Sequence, residues 1–71
     1  MLEYEIVIEK ADGNYSAYCP DLPGCVATGA SVKETTERIK EAIQFHIEAL
    51  KAEGLDVPPP ATTADLVEVT P

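Results

Sequence analysis

Two closely spaced prolines restrict the fold of this chain more than any other feature. The run Pro20-Asp21-Leu22-Pro23-Gly24 lies between the apolar-rich stretches 15–19 and 25–29. Proline fixes φ and has no backbone N–H, so a central β-strand does not continue through it. We therefore predict two strands joined by a bent connection. Gly24 permits the bend, and Gly29 lets the later strand turn into the next element.

The N-terminal residues alternate between two kinds of side chain. One face carries Leu2, Tyr4, Ile6 and Ile8, and the other carries Glu3, Glu5, Val7 and Glu9. This period of two predicts a half-buried strand over residues 2–9. Asp12-Gly13 suits the positive backbone angles of a tight hairpin, so residues 11–14 are predicted to turn into the strand at 15–19.

A helix is predicted to follow Ser31. Ser31 and Glu34 have the spacing of a capping box, in which the hydroxyl accepts from the Glu34 N–H and the Glu34 carboxylate reaches back. Glu34 and Arg38 form a favourable pair one turn apart. Gly54 is placed to end the helix near residue 53. An apolar stripe at helical spacing comprises Val32, Thr35, Ile39, Ala42, Ile43, His46, Ile47 and Leu50.

The C-terminal part is predicted to contain an extended linker at 57–60, where three prolines stand in a row. A short strand is predicted at 66–69. The predicted order is β-β-β-α-β in one domain spanning residues 1–71. This is an α+β fold in which a three-stranded antiparallel meander and a fourth strand carry one helix on one face. The sheet edges remain open, so we expect a homo-oligomer, either a dimer or a tetramer.

The acidic composition bears on the partners. Thirteen acidic residues against five basic ones give a formal charge of −8. Such a surface repels phosphate backbones and anionic lipid, and it attracts basic proteins. We expect no direct nucleic-acid partner and no membrane partner. The start of the chain lacks the pattern of a signal peptide, so a cytoplasmic location with reduced thiols is expected.

The residues with chemical potential do not form a recognisable catalytic or metal site. Cys19 and Cys25 are separated by more residues than zinc or redox pairs usually have, and His46 is the one other good ligand. We therefore expect no metal and no cofactor. Asp12 is explained by its turn, and Asp21 is expected to brace its loop. Converging carboxylates are not indicated, so we expect no enzyme and no small-molecule substrate.

Together the strand YEIVIE, the segment GNYSAYCPDLPGCVATGAS and the helix ETTERIKEAIQFHIEALKAEG resemble the HicB-like antitoxin family. The resemblance covers nearly the whole chain. It implies a truncated ribonuclease H-like fold that lacks the catalytic carboxylates. It also implies a protein that neutralises HicA-type toxins, which are small basic mRNA interferases, by covering their catalytic histidine. Many members carry a C-terminal DNA-binding domain. This chain stops after the predicted fourth strand, so operator binding is not expected.

Three sets of residues follow from these arguments. The partner-binding set is Glu3, Glu5, Glu9, Tyr18, Asp21 and Leu22. The structural loop set is Pro20, Pro23, Gly24 and Gly29, and the helix cap is Ser31 with Glu34. Two alternatives to the antitoxin stay open. One is a stand-alone regulatory or structural homo-oligomer without a toxin. The other is a nucleic-acid enzyme or binder that keeps ribonuclease H-like chemistry on Asp12, Asp21 and a glutamate.

Overall fold

A computed structural model describes residues 2–71 of the chain. Three strands precede one long helix: β1 (Val7–Ala11), β2 (Asn14–Tyr18), β3 (Val26–Gly29) and α1 (Val32–Ala52). The strands form one antiparallel sheet in the order β1-β2-β3. The helix packs across one face of this sheet. The predicted α+β arrangement of an antiparallel meander followed by a helix is therefore confirmed.

The first strand is shorter at its N-terminus than the alternation predicted. Val7 pairs with Tyr18, and this register would bring Glu5 opposite Pro20. Because the chain leaves β2 at that proline, residues 2–6 have no strand beside them and are not part of the sheet. At the other end β1 extends to Ala11, where Gly13 alone in the turn has a positive φ, of 79°. The tight hairpin thus forms around one left-handed residue.

The connection between β2 and β3 is a self-closed double turn. Leu22 N–H donates to the Cys19 carbonyl at 3.1 Å, and Cys25 N–H donates to the Leu22 carbonyl at 3.1 Å. Pro23 and Gly24 are the central residues of the second turn, and Gly24 has φ of 84°. Proline followed by a residue with positive φ is the signature of a type II turn. The Cys19 N–H closes the loop by donating to the Cys25 carbonyl at 3.2 Å.

Gly29 is required by close packing and not by a special backbone angle. A Cβ at this position would lie 2.6 Å from Thr35 Oγ1 and 2.9 Å from Thr35 N. The predicted role, a bend into the helix, is therefore replaced by a different one. The first turn of α1 rests directly on the backbone of β3, and a side chain at residue 29 would push the two apart.

The helix begins and ends with identifiable caps. The Ser31 hydroxyl accepts from the Glu34 N–H at 3.1 Å, as predicted. The Glu34 carboxylate does not complete the capping box, because it pairs with Arg38 at 2.8 Å. At the C-terminus Gly54 has φ of 71°, and Leu55 N–H donates back to the Leu50 carbonyl at 2.9 Å. This is the Schellman motif, and it ends the helix close to the predicted residue.

The core is small and lies between the sheet and α1. Its buried members are Ala17, Cys19, Leu22, Cys25 and Ile39, with Thr35 buried beside them. Thr35 Oγ1 donates to the Ser31 carbonyl at 2.7 Å, so the buried hydroxyl is satisfied. Most of the predicted stripe is buried or half-buried, His46 among the half-buried residues. Val32 is the exception, because it stands at the exposed start of the helix.

The predicted fourth strand is not formed within this chain. Residues 66–69 lie outside any strand and are exposed, including Leu66, Val67 and Val69. The preceding segment is held in two places. The Tyr4 hydroxyl donates to the Pro58 carbonyl, and the Asp21 carboxylate accepts from the Ala61 and Thr62 N–H groups. Beyond Thr62 the chain has no such anchor, so the apolar residues that follow remain in solvent.

Candidate partner-binding face

The sheet has a second face that the helix does not cover. We call it the open sheet face, and it consists of Val7, Glu9, Ser16, Tyr18, Val26 and Thr28. These residues alternate with Ile8, Ala17 and Ala27, which pack towards α1. Side chains of successive strand residues point to opposite faces, so one register fixes both sets. The open sheet face is therefore a rigid surface, because every member is placed by the hydrogen-bonded ladder.

An apolar row crosses the middle of the open sheet face. Val7 lies opposite Tyr18, and Tyr18 lies opposite Val26. The exposed fractions of Tyr18 and Val26 are 42% and 66%, and Val7 is half-buried. An exposed tyrosine flanked by two valines gives a contact area of the kind found at protein interfaces, where aromatic residues are enriched. Residues across the next row are polar: Glu9, Ser16 and Thr28.

The predicted carboxylates border this apolar row. Glu9 lies two residues after Val7 on β1 and is exposed, so it stands on the same face. Glu3 and Glu5 precede β1 and are also exposed, whereas Tyr4 and Ile6, which alternate with them, pack against the core. The alternation predicted from the sequence thus continues upstream of the strand. An apolar row bordered by negative charge suits a partner surface whose apolar patch is bordered by positive charge.

Two residues of the predicted partner-binding set serve the chain itself. Leu22 has no exposed surface, so its assignment to a binding surface was wrong. The double turn directs its side chain inwards, where it packs in the core. Asp21 braces the chain as expected for a loop aspartate, but it braces a distant segment. Its carboxylate accepts from Thr62 Oγ1 at 2.8 Å as well as from two backbone N–H groups.

These hydrogen bonds change the acidity of the anchoring groups. The Ala61 N–H, followed by the Thr62 hydroxyl, lowers the pKa of Asp21. Hydrogen bonds to the charged form of an acid favour that form. Burial, and then the neighbouring Cys19 and Asp21, raise the pKa of the Tyr4 phenol, which stays a hydrogen-bond donor to Pro58. The segment at 58–62 is therefore held by an ionised acid and a neutral phenol.

The two cysteines are buried free thiols at either end of the double turn. Burial, and then the nearby Cys19, raise the pKa of Cys25. A thiol whose pKa is raised is mainly protonated at neutral pH, and protonated thiols are poor nucleophiles and poor metal ligands. Residues 2–71 contain no group of three His, Cys, Asp or Glu side chains arranged to hold a metal ion. The arrangement favours packing over chemistry at these cysteines.

Comparison with known proteins gives an independent answer about the family. A family model described as the HicB-like antitoxin of bacterial toxin–antitoxin systems matches residues 4–70. That range includes almost the whole chain. The chain belongs to the HicB-like antitoxin family. The resemblance noted in the sequence is thereby confirmed, and it assigns the chain to the antitoxin side of a toxin–antitoxin system.

Individual relatives agree with this assignment. A UPF0150 protein of Synechocystis is 45% identical over 56 residues, which cover 78% of this chain and 71% of the relative. A UPF0150 protein of Thermoplasma acidophilum is 41% identical over 58 residues, which cover 80% of this chain and 84% of the relative. A chain in the solved HicA3 and HicB3 toxin–antitoxin complex is 37% identical, with a TM-score of 0.71. That match covers 83% of this chain and 70% of the other.

The structure adds two residues to the candidate partner-binding face that the sequence did not single out. Val7 and Val26 complete the row through Tyr18, but they belong to strands that are distant in sequence. A signal existed, because both are apolar residues at positions that alternate with core residues.

No helix in the described part of this HicB-like chain has the length and hydropathy needed to cross a bilayer.

Proposed function

We propose that this HicB-like chain neutralises a small basic HicA-like toxin by binding it through the open sheet face. The single observation that carries the proposal is the apolar row Val7–Tyr18–Val26 bordered by Glu9 in a chain of the antitoxin family. A solved relative occurs in a HicA3 and HicB3 complex, which supports a toxin of the HicA type. Neutralisation then requires contact only, because a bound partner occludes the surface with which the toxin engages RNA.

The charge of the chain supports this choice of partner. A formal charge of −8 on 71 residues attracts a basic protein over distances of about 10 Å at ordinary ionic strength. Glu3, Glu5 and Glu9 bring part of that charge next to the apolar row. Long-range attraction raises the association rate, and the apolar row then supplies the contact that slows dissociation.

The test is co-expression with a small basic protein of the HicA type found encoded beside this chain, followed by affinity measurement and rescue of growth arrest. Reversal of Glu3, Glu5 and Glu9 to lysine is expected to lower the association rate by about tenfold or more at low salt. The matched control reverses Glu37, Glu41 and Glu48, which are exposed on α1. Both triple variants change the net charge equally, so a larger fall in association rate for the Glu3, Glu5 and Glu9 variant would show that these carboxylates act locally.

Tyr18 provides the sharper variant. Tyr18→Ala is expected to weaken toxin binding by about 2 kcal/mol or more, because aromatic residues at the centre of an interface carry much of its affinity. Phe45→Ala is the control, since Phe45 is an exposed aromatic residue on the helix, with 74% of its surface accessible. Equal affinities for Tyr18→Ala and the unmodified chain would contradict the use of this face.

The meander and helix form a truncated ribonuclease H-like unit without its catalytic carboxylates, so the chain acts without cleaving RNA. Asp12 is exposed in the hairpin turn and the Asp21 carboxylate is occupied by residues 61–62, which favours binding over hydrolysis. The chain acts in the cytoplasm as a single-domain homo-oligomer, with no direct contact to nucleic acid. A chain with no basic neighbouring gene product would instead support the stand-alone regulatory role.

A further inference from the structure

An apolar groove lies beside β1, on the side of the chain away from the open sheet face. Its volume is about 290 Å³, and Leu2 and Ile6 form one wall while Ile39, Ile43 and Ile47 form the other. The groove exists because residues 2–6 continue past the end of β2 and have no neighbouring strand. Residues 2–5 make no backbone hydrogen bond with any part of the chain from 2 to 71. One wall of the groove is therefore an unpaired, extended edge.

The C-terminal tail, residues 63–71, has apolar side chains but no groove in which they are buried. Leu66, Val67 and Val69 are 96%, 83% and 81% exposed. Asp65, Val67 and Val69 would share one face of a strand, because alternate residues point the same way. The family match runs through residue 70, so the tail belongs to the matched unit. The chain thus exposes a short strand-forming segment and an unfilled apolar groove.

The anchors of the segment before the tail hold residues 61–62 outside the groove. Pro58 is bound to Tyr4, which lines the groove. Ala61 and Thr62 are bound to Asp21, in a loop that contributes nothing to the groove. In this structure the tail does not enter that groove, because no residue after Ile47 lines it and Leu66, Val67 and Val69 are exposed. A second copy can offer its tail to the groove without any change in these anchors.

Charge favours the same pairing. Lys40 lines the groove and forms no ion pair with residues 2–71. Asp65 lies on the tail face that carries Val67 and Val69, so it brings a carboxylate to the one lysine of the groove. In a chain with a formal charge of −8, few cations are available to receive it. An acidic and apolar strand of this pattern matches the groove better than a basic peptide would.

We infer that two copies of the chain exchange their tails, each placing residues 65–69 as an added strand along residues 2–6 of the other, with Val67 and Val69 in the groove. The exchange gives unpaired backbone groups at residues 2–5 strand partners, which is the common mode of strand addition to a sheet edge. A two-fold axis makes both contacts at once and leaves no open end for further growth. The open sheet face remains free, so the exchange does not depend on toxin binding.

The first test measures the mass of the full chain by sedimentation from low to several hundred micromolar. A dimer is expected, and Val67→Asp with Val69→Asp is expected to raise its Kd by about a hundredfold, because two valines lose their burial. The control is Leu66→Asp with Leu55→Asp, which adds the same charge at exposed positions outside the groove-facing set. A monomer throughout this range, or equal weakening by both variants, overturns the exchange.

The second test separates exchange from docking within one chain. A spin label on Val69→Cys is mixed with isotope-labelled, unmodified chain. Broadening of the Leu2, Ile6 and Ile43 amide signals in the isotope-labelled chain is the expected result. Broadening that occurs only when both labels are in the same chain overturns the inference. The native thiols are buried, so the label reports the introduced cysteine. The toxin affinity of the tail variants is measured separately, because these variants leave Tyr18 and the open sheet face unchanged.

Discussion

The backbone N–H of Cys19 donates to the carbonyl of Cys25 at 3.2 Å, so the two cysteines close the loop that they flank. Within that loop the backbone N–H and C=O of Leu22 are both bonded, and its side chain is fully buried. The run with two prolines therefore forms a loop that places the Leu22 side chain in the core. In a core with so few buried residues, that side chain contributes much of the packing.

Leu22→Ala tests the role of the loop in stability. The expected loss in the free energy of unfolding is about 2–5 kcal/mol, because the substitution leaves a cavity in a packed core. Urea denaturation measures it. Leu55→Ala is the control, since Leu55 is 53% exposed and its truncation is expected to change stability by less than about 0.5 kcal/mol. A Leu22 variant as stable as this control would show that the loop does not support the core.

Gly24→Ala tests the second turn of the same loop. The expected destabilisation is about 1–2 kcal/mol, because an L-residue with a side chain is strained at a φ of 84°. No atom lies within 4 Å of the added Cβ, so the effect comes from the backbone angle alone. Asn at this position is expected to lose less, since asparagine tolerates left-handed angles. Equal losses for alanine and asparagine in thermal unfolding would contradict this explanation.

Gly29→Ala tests the contact between β3 and α1. The new Cβ would lie 2.6 Å from Thr35 Oγ1 and 2.9 Å from Thr35 N, so the helix start must shift. Overpacking of this kind costs about 1–3 kcal/mol. Thr35→Ser keeps the hydroxyl and the backbone N in place, so this second change is expected to restore little stability. Ala30→Ser is the control, because Ala30 is exposed beside it.

The Asp21 anchor predicts a pH dependence for the segment at 58–62. Hydrogen bonds lower the pKa of Asp21 in the folded chain, so its stabilising effect is complete above the ordinary aspartate value of 3.8 and is lost as the pH falls through the lower folded value. Exchange of the Ala61 and Thr62 amide protons is expected to accelerate in that acidic range. Asp21→Asn should show fast exchange already at neutral pH, whereas Asp56→Asn, at an exposed site, should not.

The cysteines give a prediction about reactivity. Cys19 and Cys25 are buried, and the pKa of Cys25 is raised, so a thiol reagent is expected to modify them only as fast as the chain opens. Absorbance kinetics with an aromatic disulfide reagent measure the rate in native and denaturing conditions. Leu55→Cys serves as the exposed control and should react at once. Rapid modification of the native cysteines in the unmodified chain would place at least one of them at the surface.

The helix was predictable because its signals are local. Ser31 and Gly54 lie within a few residues of the ends that they determine, and the observed limits agree closely with the predicted ones. The limits of β1 were less predictable because they depend on a partner strand. The interruption at Pro20 removes the neighbour of residues 2–6, and that effect appears only when the register is known.

The residues of the candidate site were likewise predictable where the signal is local and unpredictable where it depends on distant residues. Glu3, Glu5 and Glu9 were predicted to be surface residues because strand alternation determines their face, and all three are exposed, as is Tyr18. Leu22 was misplaced because a double turn has no periodicity from which to infer burial. The partner of Asp21 could not be inferred either, since residues 61–62 are far away in sequence. The strand at 66–69 has the right composition but no neighbour in its own chain.

The alternation along β2 has a practical consequence for mutational scanning. Odd-numbered positions from Tyr15 to Cys19 face the helix, and even-numbered positions face outwards. A scan that reads folding and toxin binding separately should divide by parity, with Ala17 sensitive in both readings and Tyr18 in binding alone. The sheet is a single layer, so residues 15–19 contribute alternately to the core and to the contact surface.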